Sequence, residues 1–66
     1  MCKFKAERLI KDILERLHCR FICSKIEDGI IIIRYLDAWG NTRKDCFPYR
    51  YMSEGDIENM VINGVY

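Results

Sequence analysis

The first part of the chain has apolar residues at intervals of three and four positions, which is the spacing of one side of an α-helix. Over residues 3–17 these are Ala6, Leu9, Ile10, Ile13, Leu14 and Leu17. Charged residues fill most other positions, and Glu7 and Lys11 have the i,i+4 spacing that stabilises an exposed helix. We therefore predict an amphipathic helix over residues 3–17, with Phe4 extending its apolar side.

The middle of the chain is rich in β-branched and aromatic residues, which indicates strands. A first strand over residues 21–26 leads to Asp28-Gly29, a pair suited to the positive φ angles of a tight hairpin turn. A second strand covers residues 30–36, and Gly40-Asn41 offers another positive-φ turn before a third strand over residues 42–47. Pro48 has no N–H for a sheet, so we expect it to end the third strand.

Four consecutive isoleucines, residues 30–33, lie in the second predicted strand. Successive side chains of a strand point to opposite sides, so Ile30 and Ile32 face one side while Ile31 and Ile33 face the other. Both sides of the sheet are therefore apolar at its centre. A chain of 66 residues has few other elements with which to cover both sides.

The last part of the chain is predicted to form a second, shorter helix. Ser53 is a suitable N-cap, and Asp56, three residues later, can complete a capping box. Asn63-Gly64 can adopt the left-handed conformation that often ends a helix. The residues of its buried side would be Ile57, Met60 and Val61.

This order predicts one domain, residues 1–66, of the α+β class: helix-strand-strand-strand-helix, with a three-stranded antiparallel sheet and both helices packed on one side. The other side of the sheet is then open, unless Trp39, Tyr49 and Tyr51 fold over it. The outward residues of the second strand would be either Ile30, Ile32, Arg34 and Leu36, or Ile31, Ile33 and Tyr35.

Charge and composition restrict the class of protein. The chain has 11 basic and 10 acidic side chains, a net charge of +1, which is far from the strong positive charge typical of nucleic-acid binders. No apolar stretch approaches the ~20 residues of a membrane-spanning helix. The first eighteen residues alternate in charge too often for a secretory signal, so we expect a cytoplasmic protein with reduced thiols at Cys2, Cys19, Cys23 and Cys46.

The cysteines and the single histidine are the candidate reactive residues. Cys19, Cys23 and Cys46 with His18 are zinc-ligand types, but along a strand Cys19 and Cys23 would be about 13 Å apart. A cysteine nucleophile with His18 as its base would lack a third orienting group, and so short a chain has little room for a substrate pocket. We expect no metal, no cofactor, no small-molecule substrate and no enzymatic activity.

Residues 27–47 contain an Asp28-Gly29 turn, a strand ending in Arg34-Tyr35-Leu36-Asp37, and a Trp39-Gly40 turn before a third strand. This layout resembles the three-stranded arm-type DNA-binding domain of transposon and phage integrases. The resemblance implies a sheet in the DNA major groove, with candidate contacts at Arg34, Arg43, Lys44 and Arg50. The chain departs from the family in its run of isoleucines, which cannot read hydrogen-bonding base edges, and in its first helix.

The element order is also similar to that of double-stranded-RNA-binding domains. Those domains have a basic start to the last helix, where this chain has Glu54, Asp56 and Glu58, so we do not expect that mode of RNA binding.

The preferred hypothesis is a small, non-enzymatic protein-binding module that engages another protein, or a second copy of itself, through the open side of the sheet. Chains of this size without catalytic groups are often accessory proteins of phages or mobile elements that inhibit a host enzyme by covering its surface, as anti-defence inhibitors do. DNA binding through the sheet is the alternative. The expected protein contacts are Ile31, Ile33, Arg34, Tyr35 and Trp39.

Overall fold

The computed structural model describes residues 1–65; Tyr66 lies outside the described residues. It has the predicted order: α1 (Lys3–Arg16), β1 (Arg20–Glu27), β2 (Ile30–Leu36), β3 (Thr42–Phe47), a 3₁₀ turn (Tyr49–Tyr51) and α2 (Glu54–Val65). The strands form one antiparallel sheet in the order β1-β2-β3, with β2 at its centre. The predicted α+β fold is therefore confirmed.

Helix α1 begins after Cys2, whose Sγ accepts a hydrogen bond from the Lys5 N–H at 3.5 Å. That bond stabilises the thiolate and lowers the pKa of Cys2. The helix ends because His18 takes a left-handed conformation, φ 61°, which turns the chain back into β1. Phe4 is 73% exposed, so the prediction that it extends the apolar side of the helix was wrong.

The β1–β2 turn has the predicted chemistry: Asp28 and Gly29 both have positive φ, 51° and 76°, as a type I′ turn requires. A β-bulge between Phe21 and Cys23 leaves Ile22 without a partner on β2. This bulge was not predicted from the sequence. It increases the local twist of β1 at the edge of the sheet.

The β2–β3 turn differs from its prediction. Gly40 has a positive φ of 84°, but Asn41 does not. The turn is built on Asp37 instead, whose Oδ1 accepts hydrogen bonds from the N–H groups of Trp39 and Asn41, each at 2.9 Å. Asp37 is buried, and these two N–H groups supply the hydrogen bonds that its carboxylate needs away from water.

The core lies between the sheet and the two helices. Ile31, Ile33 and Tyr35 alternate along β2 and are 0%, 0% and 1% exposed. They form one cluster with apolar side chains of α1 and α2, among them Ile10, Leu14, Ile57 and Val61. Both helices therefore pack on this side, which we call the inner face.

Helix α2 has the predicted capping box: Ser53 Oγ accepts from the Asp56 N–H at 3.2 Å, and Asp56 Oδ2 accepts from the Ser53 N–H at 3.1 Å. The predicted end at Asn63-Gly64 was wrong, because the helix continues through Gly64 to Val65. Gly64 instead permits close approach: a Cβ atom there would lie 2.9 Å from Oδ2 of Asp45 on β3.

Candidate functional site

The side of the sheet away from the helices, the outer face, is formed by alternate residues of the three strands. On β2 these are Ile30, Ile32, Arg34 and Leu36. Cross-strand pairing places Arg20, Cys23, Lys25 and Glu27 of β1 beside them, and on the opposite flank Thr42, Lys44 and Cys46 of β3. Both helices and Tyr49 of the 3₁₀ turn instead contribute to the core cluster on the inner face.

A strip of aliphatic side chains runs along the centre of the outer face. Ile30 is exposed, whereas Ile32 and Leu36 are half-buried by their neighbours on β1 and β3. The strip is narrow because each central side chain is flanked by polar or charged residues. The strip therefore resembles a small apolar interface core with a polar rim, and not a large apolar patch.

The charge of the outer face is strongly one-sided. It has four basic side chains, Arg20, Lys25, Arg34 and Lys44, and one acidic side chain, Glu27. The Glu27 carboxylate lies 3.4 Å from Lys25 Nζ, so it already forms an ion pair with one of these cations. The face has a formal charge of +3 in a chain whose total is +1.

Arg34 and Lys44 are directly opposite each other on β2 and β3. Like charges in this position destabilise a sheet because their Cβ atoms are only about 5 Å apart. With Cys23, Lys25, Glu27 and Ile32 they line an open depression of about 340 Å³. An anionic group placed there would relieve the repulsion between the two cations.

The expected protein contacts are divided by the structure. Arg34 lies on the outer face, and Trp39 is 67% exposed in the β2–β3 turn at one end of that face. Ile31, Ile33 and Tyr35 lie in the core, so their selection as partner contacts is corrected to the other side of β2. The physical reason is that the helices cover the side of the sheet that includes Phe47.

The alternative in which aromatic residues cover the outer face does not hold for those that the structure describes. Tyr49 is buried in the core cluster, on the inner side. Tyr51 and Trp39 are among the most exposed apolar side chains of the chain. The aliphatic strip therefore remains accessible between its charged neighbours.

The candidate DNA contacts are also divided. Arg34 and Lys44 share the outer face. Arg43 is on the opposite side of β3, where it donates a hydrogen bond to the Gly64 carbonyl oxygen at 3.1 Å and its Nε lies 3.6 Å from Asp37 Oδ2. Arg50 lies beside the β1–β2 turn, with its Nε 3.4 Å from the position of a Cβ atom on Gly29.

Arg20 and Lys25, which complete the basic set, were not among the contacts predicted from the sequence. Alternation backward from the Asp28-Gly29 turn would have placed Lys25 on the same side as Ile32 and Arg34. Arg20 lies beyond the bulge, where alternation no longer gives the side. Its placement therefore required the structure.

The cysteines are separated in space and environment. Cys19 is buried at the start of the sheet, and burial raises the pKa of its thiol, whereas Cys2, Cys23 and Cys46 are exposed. Within residues 1–65, no three His, Cys, Asp or Glu side chains are close enough together to hold a metal ion.

No helix in the described part of the chain is both long enough and apolar enough to cross a membrane. The chain matches no protein-family model, no curated protein and no solved structure.

Proposed function

We propose that this protein is a small, non-enzymatic binding module that engages an acidic surface of another protein through the outer face of its sheet. The observation that carries the proposal is the placement of Arg34 directly opposite Lys44 beside a partly exposed aliphatic strip. A partner with carboxylates around an apolar centre would complement both features.

Two terms favour such a partner. Carboxylates near Arg34 and Lys44 would relieve a repulsion that the free sheet retains, so their contribution is larger in the complex than in the isolated chain. The aliphatic residues Ile30 and Ile32 would lose their remaining contact with water, at roughly 25 cal/mol per Å² of apolar surface. Charge complementarity would determine which partner binds, and burial of apolar surface would add to the affinity.

A different protein fits the outer face better than a second copy does. Two copies meeting outer face to outer face would bring a formal charge of +3 against +3, with one carboxylate on each side to offset it. Binding of this kind acts by covering the partner's surface. That is the action expected of the phage or mobile-element inhibitors to which the size of the chain points.

The test uses the tagged full chain as bait in cell lysate, with quantitative mass spectrometry of the bound proteins. The double variant Arg34→Glu/Lys44→Glu reverses the charge of the outer face. The matched control Arg8→Glu/Arg16→Glu makes the same change in charge at exposed positions of α1. We expect an acidic protein to be retained by the wild type and the control and lost from the outer-face variant.

The recovered protein is then titrated into the ¹⁵N-labelled chain. Amide shifts concentrated at Cys23, Ile32 and Lys44 would support the proposal. Equal retention by both double variants, or amide shifts confined to the helices, would overturn it.

DNA binding through the same face is the second candidate, because four basic side chains lie on a sheet three strands wide. A duplex bound by these four groups would lose affinity with a slope of about −3.6 in log K against log salt. Fluorescence anisotropy with a 20-base-pair duplex, roughly two helical turns of DNA, tests this at low and moderate salt. Arg34→Ala should weaken such binding. Arg43→Ala should not, since Arg43 points to α2. Absence of DNA binding at low salt would remove this candidate.

A further inference from the structure

The free edge of β1 is a second surface that the proposed function does not use. β1 pairs with β2 on one side only, and its residues 23–27 make no backbone hydrogen bonds outside the sheet among those described. Ile22 and Ile26 are 48% and 37% exposed along this edge. An unpaired strand with exposed apolar side chains is a template for a further strand.

The hairpin turn determines which backbone groups the edge presents. In a two-residue turn the flanking residues, Glu27 and Ile30, bond to each other, so Lys25 and Cys23 also direct their N–H and C=O groups at β2. The groups of Ser24 and Ile26 then point away from the sheet. A new antiparallel strand must pair with these two residues.

We propose that the occupant of this edge is β1 of a second copy, antiparallel and related by a two-fold axis at Ser24. Ser24 would then pair with Ser24 of the second copy, and Cys23 would lie opposite Lys25 of the second copy. Ile22, which the bulge releases from β2, would meet Ile26 of the second copy. The two sheets would join into one sheet of six strands.

The other two-fold registers that join the outward groups are less favourable. An axis at Lys25 places that side chain directly opposite its own copy, a like-charge pair that destabilises a sheet. An axis at Ile26 lets the strands overlap only as far as the Asp28-Gly29 turn. The axis at Ser24 avoids the like-charge pair and gives the longer overlap.

Phe4 supports the same axis independently. Lys11 Nζ lies 4.5 Å from the centroid of the Phe21 ring, so this part of α1 lies over β1. Phe4 lies two helical turns before Lys11, on the same side of α1 and about 10 Å from it along the helix. Ser24 lies three residues after Phe21, which is also about 10 Å along β1. Because only residues 17–19 join α1 to β1, the two elements run in opposite directions. The highly exposed Phe4 is then about level with Ser24 and would meet its copy across the axis.

The other edge of the sheet is less suited to pairing. β3 carries Arg43, Lys44 and Asp45 in succession, and charged side chains on an edge strand oppose edge-to-edge association. A two-fold axis perpendicular to the sheet keeps both outer faces on one side. The dimer would therefore offer two basic faces side by side to the partner of the proposed function, although its formation does not depend on that function.

Disulfide trapping tests the register in the full chain with Cys2→Ser and Cys46→Ser, both at exposed positions. Lys25→Cys should link to Cys23 of the second copy, because the Cα atoms of such a pair are about 4.5 Å apart, within disulfide range. Glu27→Cys is the matched control, since it would link to Cys23 only with the axis at Lys25. Mild oxidation should give a covalent dimer on a non-reducing gel for Lys25→Cys, which a further Cys23→Ser change abolishes, and a monomer for Glu27→Cys.

Analytical ultracentrifugation of the unmodified chain provides the second measurement. We expect a concentration-dependent dimer that Ile26→Lys weakens about tenfold or more, whereas Ile32→Asp on the outer face leaves it intact. A strict monomer at hundreds of micromolar (roughly 5 kcal/mol of association free energy or less) would overturn the proposal. So would cross-linking of Glu27→Cys in preference to Lys25→Cys, or dimerisation that Ile32→Asp abolishes.

Discussion

At the scale of single residues, the most constrained group joins the end of α2 to the sheet. The Tyr35 hydroxyl donates a hydrogen bond to Asp45 Oδ2 at 2.8 Å, and Gly64 leaves room for that carboxylate. Arg43 donates to the Gly64 carbonyl oxygen from the same strand as Asp45. The absence of a side chain at Gly64 is therefore needed for packing, although the residue lies in a helix.

Gly64→Ala should destabilise the protein, against the usual preference of helices for alanine. The added Cβ would lie 2.9 Å from Asp45 Oδ2 and displace a carboxylate that Tyr35 holds, at a cost of about 1 kcal/mol or more. In an Asp45→Ala background the clash is absent, and the same change should stabilise by up to about 1 kcal/mol. Urea unfolding of the four variants gives this cycle; an equal effect of Gly64→Ala in both backgrounds would contradict it.

Tyr35→Phe should cost about 1.5 kcal/mol at neutral pH through loss of the bond to Asp45. Burial first, and then that bond, raise the pKa of Tyr35. Its contribution is therefore complete below the ordinary tyrosine pKa of about 10 and declines as pH rises above it. The difference in unfolding free energy between wild type and Tyr35→Phe should shrink from pH 9 to pH 11 (roughly one unit either side of that ordinary value), and a constant difference would count against this account.

At the scale of elements, the turns and caps show where local sequence is sufficient. Asp28-Gly29 and Ser53 with Asp56 act as predicted because each structure depends on residues at most three positions apart. The β2–β3 turn was predicted from Gly40-Asn41, yet it depends on Asp37. A buried carboxylate that accepts two backbone N–H groups is a three-dimensional arrangement, and its short polar side chain gave no clear signal in the sequence.

Asp37→Ala should destabilise the β2–β3 turn by about 2–3 kcal/mol, because the N–H groups of Trp39 and Asn41 lose their acceptor. Asp37→Asn keeps an acceptor oxygen and loses the charge that faces Arg43, so it should cost about half as much. Urea unfolding of both variants measures the difference. Equal losses would mean that the charge, and not the backbone bonds, is what the turn requires.

At the scale of the whole molecule, the outer face keeps a like-charge pair that lowers the stability of the free chain. The helices neutralise much of their own charge, as in the ion pair between Lys5 Nζ and Glu54 Oε1 at 2.8 Å. The outer face instead keeps four basic groups with one carboxylate. An acidic residue at either position of the Arg34–Lys44 pair would favour folding of the free chain instead.

Lys44→Glu should accordingly stabilise the isolated chain, by a few tenths of a kcal/mol to about 1 kcal/mol, since it converts a like-charge cross-strand pair into an opposite one. If the proposed function holds, the same variant should bind the proposed acidic partner more weakly. Thermal unfolding and the pull-down described above measure the two effects. Lower stability together with unchanged binding would contradict the role given to this pair.

The sequence by itself determined the order of elements, the bounds of β2 and β3, the type I′ turn and the start of α2. These follow from apolar periodicity and from bonds between neighbouring residues. Only the tertiary structure decided which side of β2 is buried, because Ile30 with Ile32 and Ile31 with Ile33 are equivalent in the local pattern. The helices cover the side that carries Tyr35 and Phe47, and the basic residues of three separate strands meet on the other side as a consequence of register.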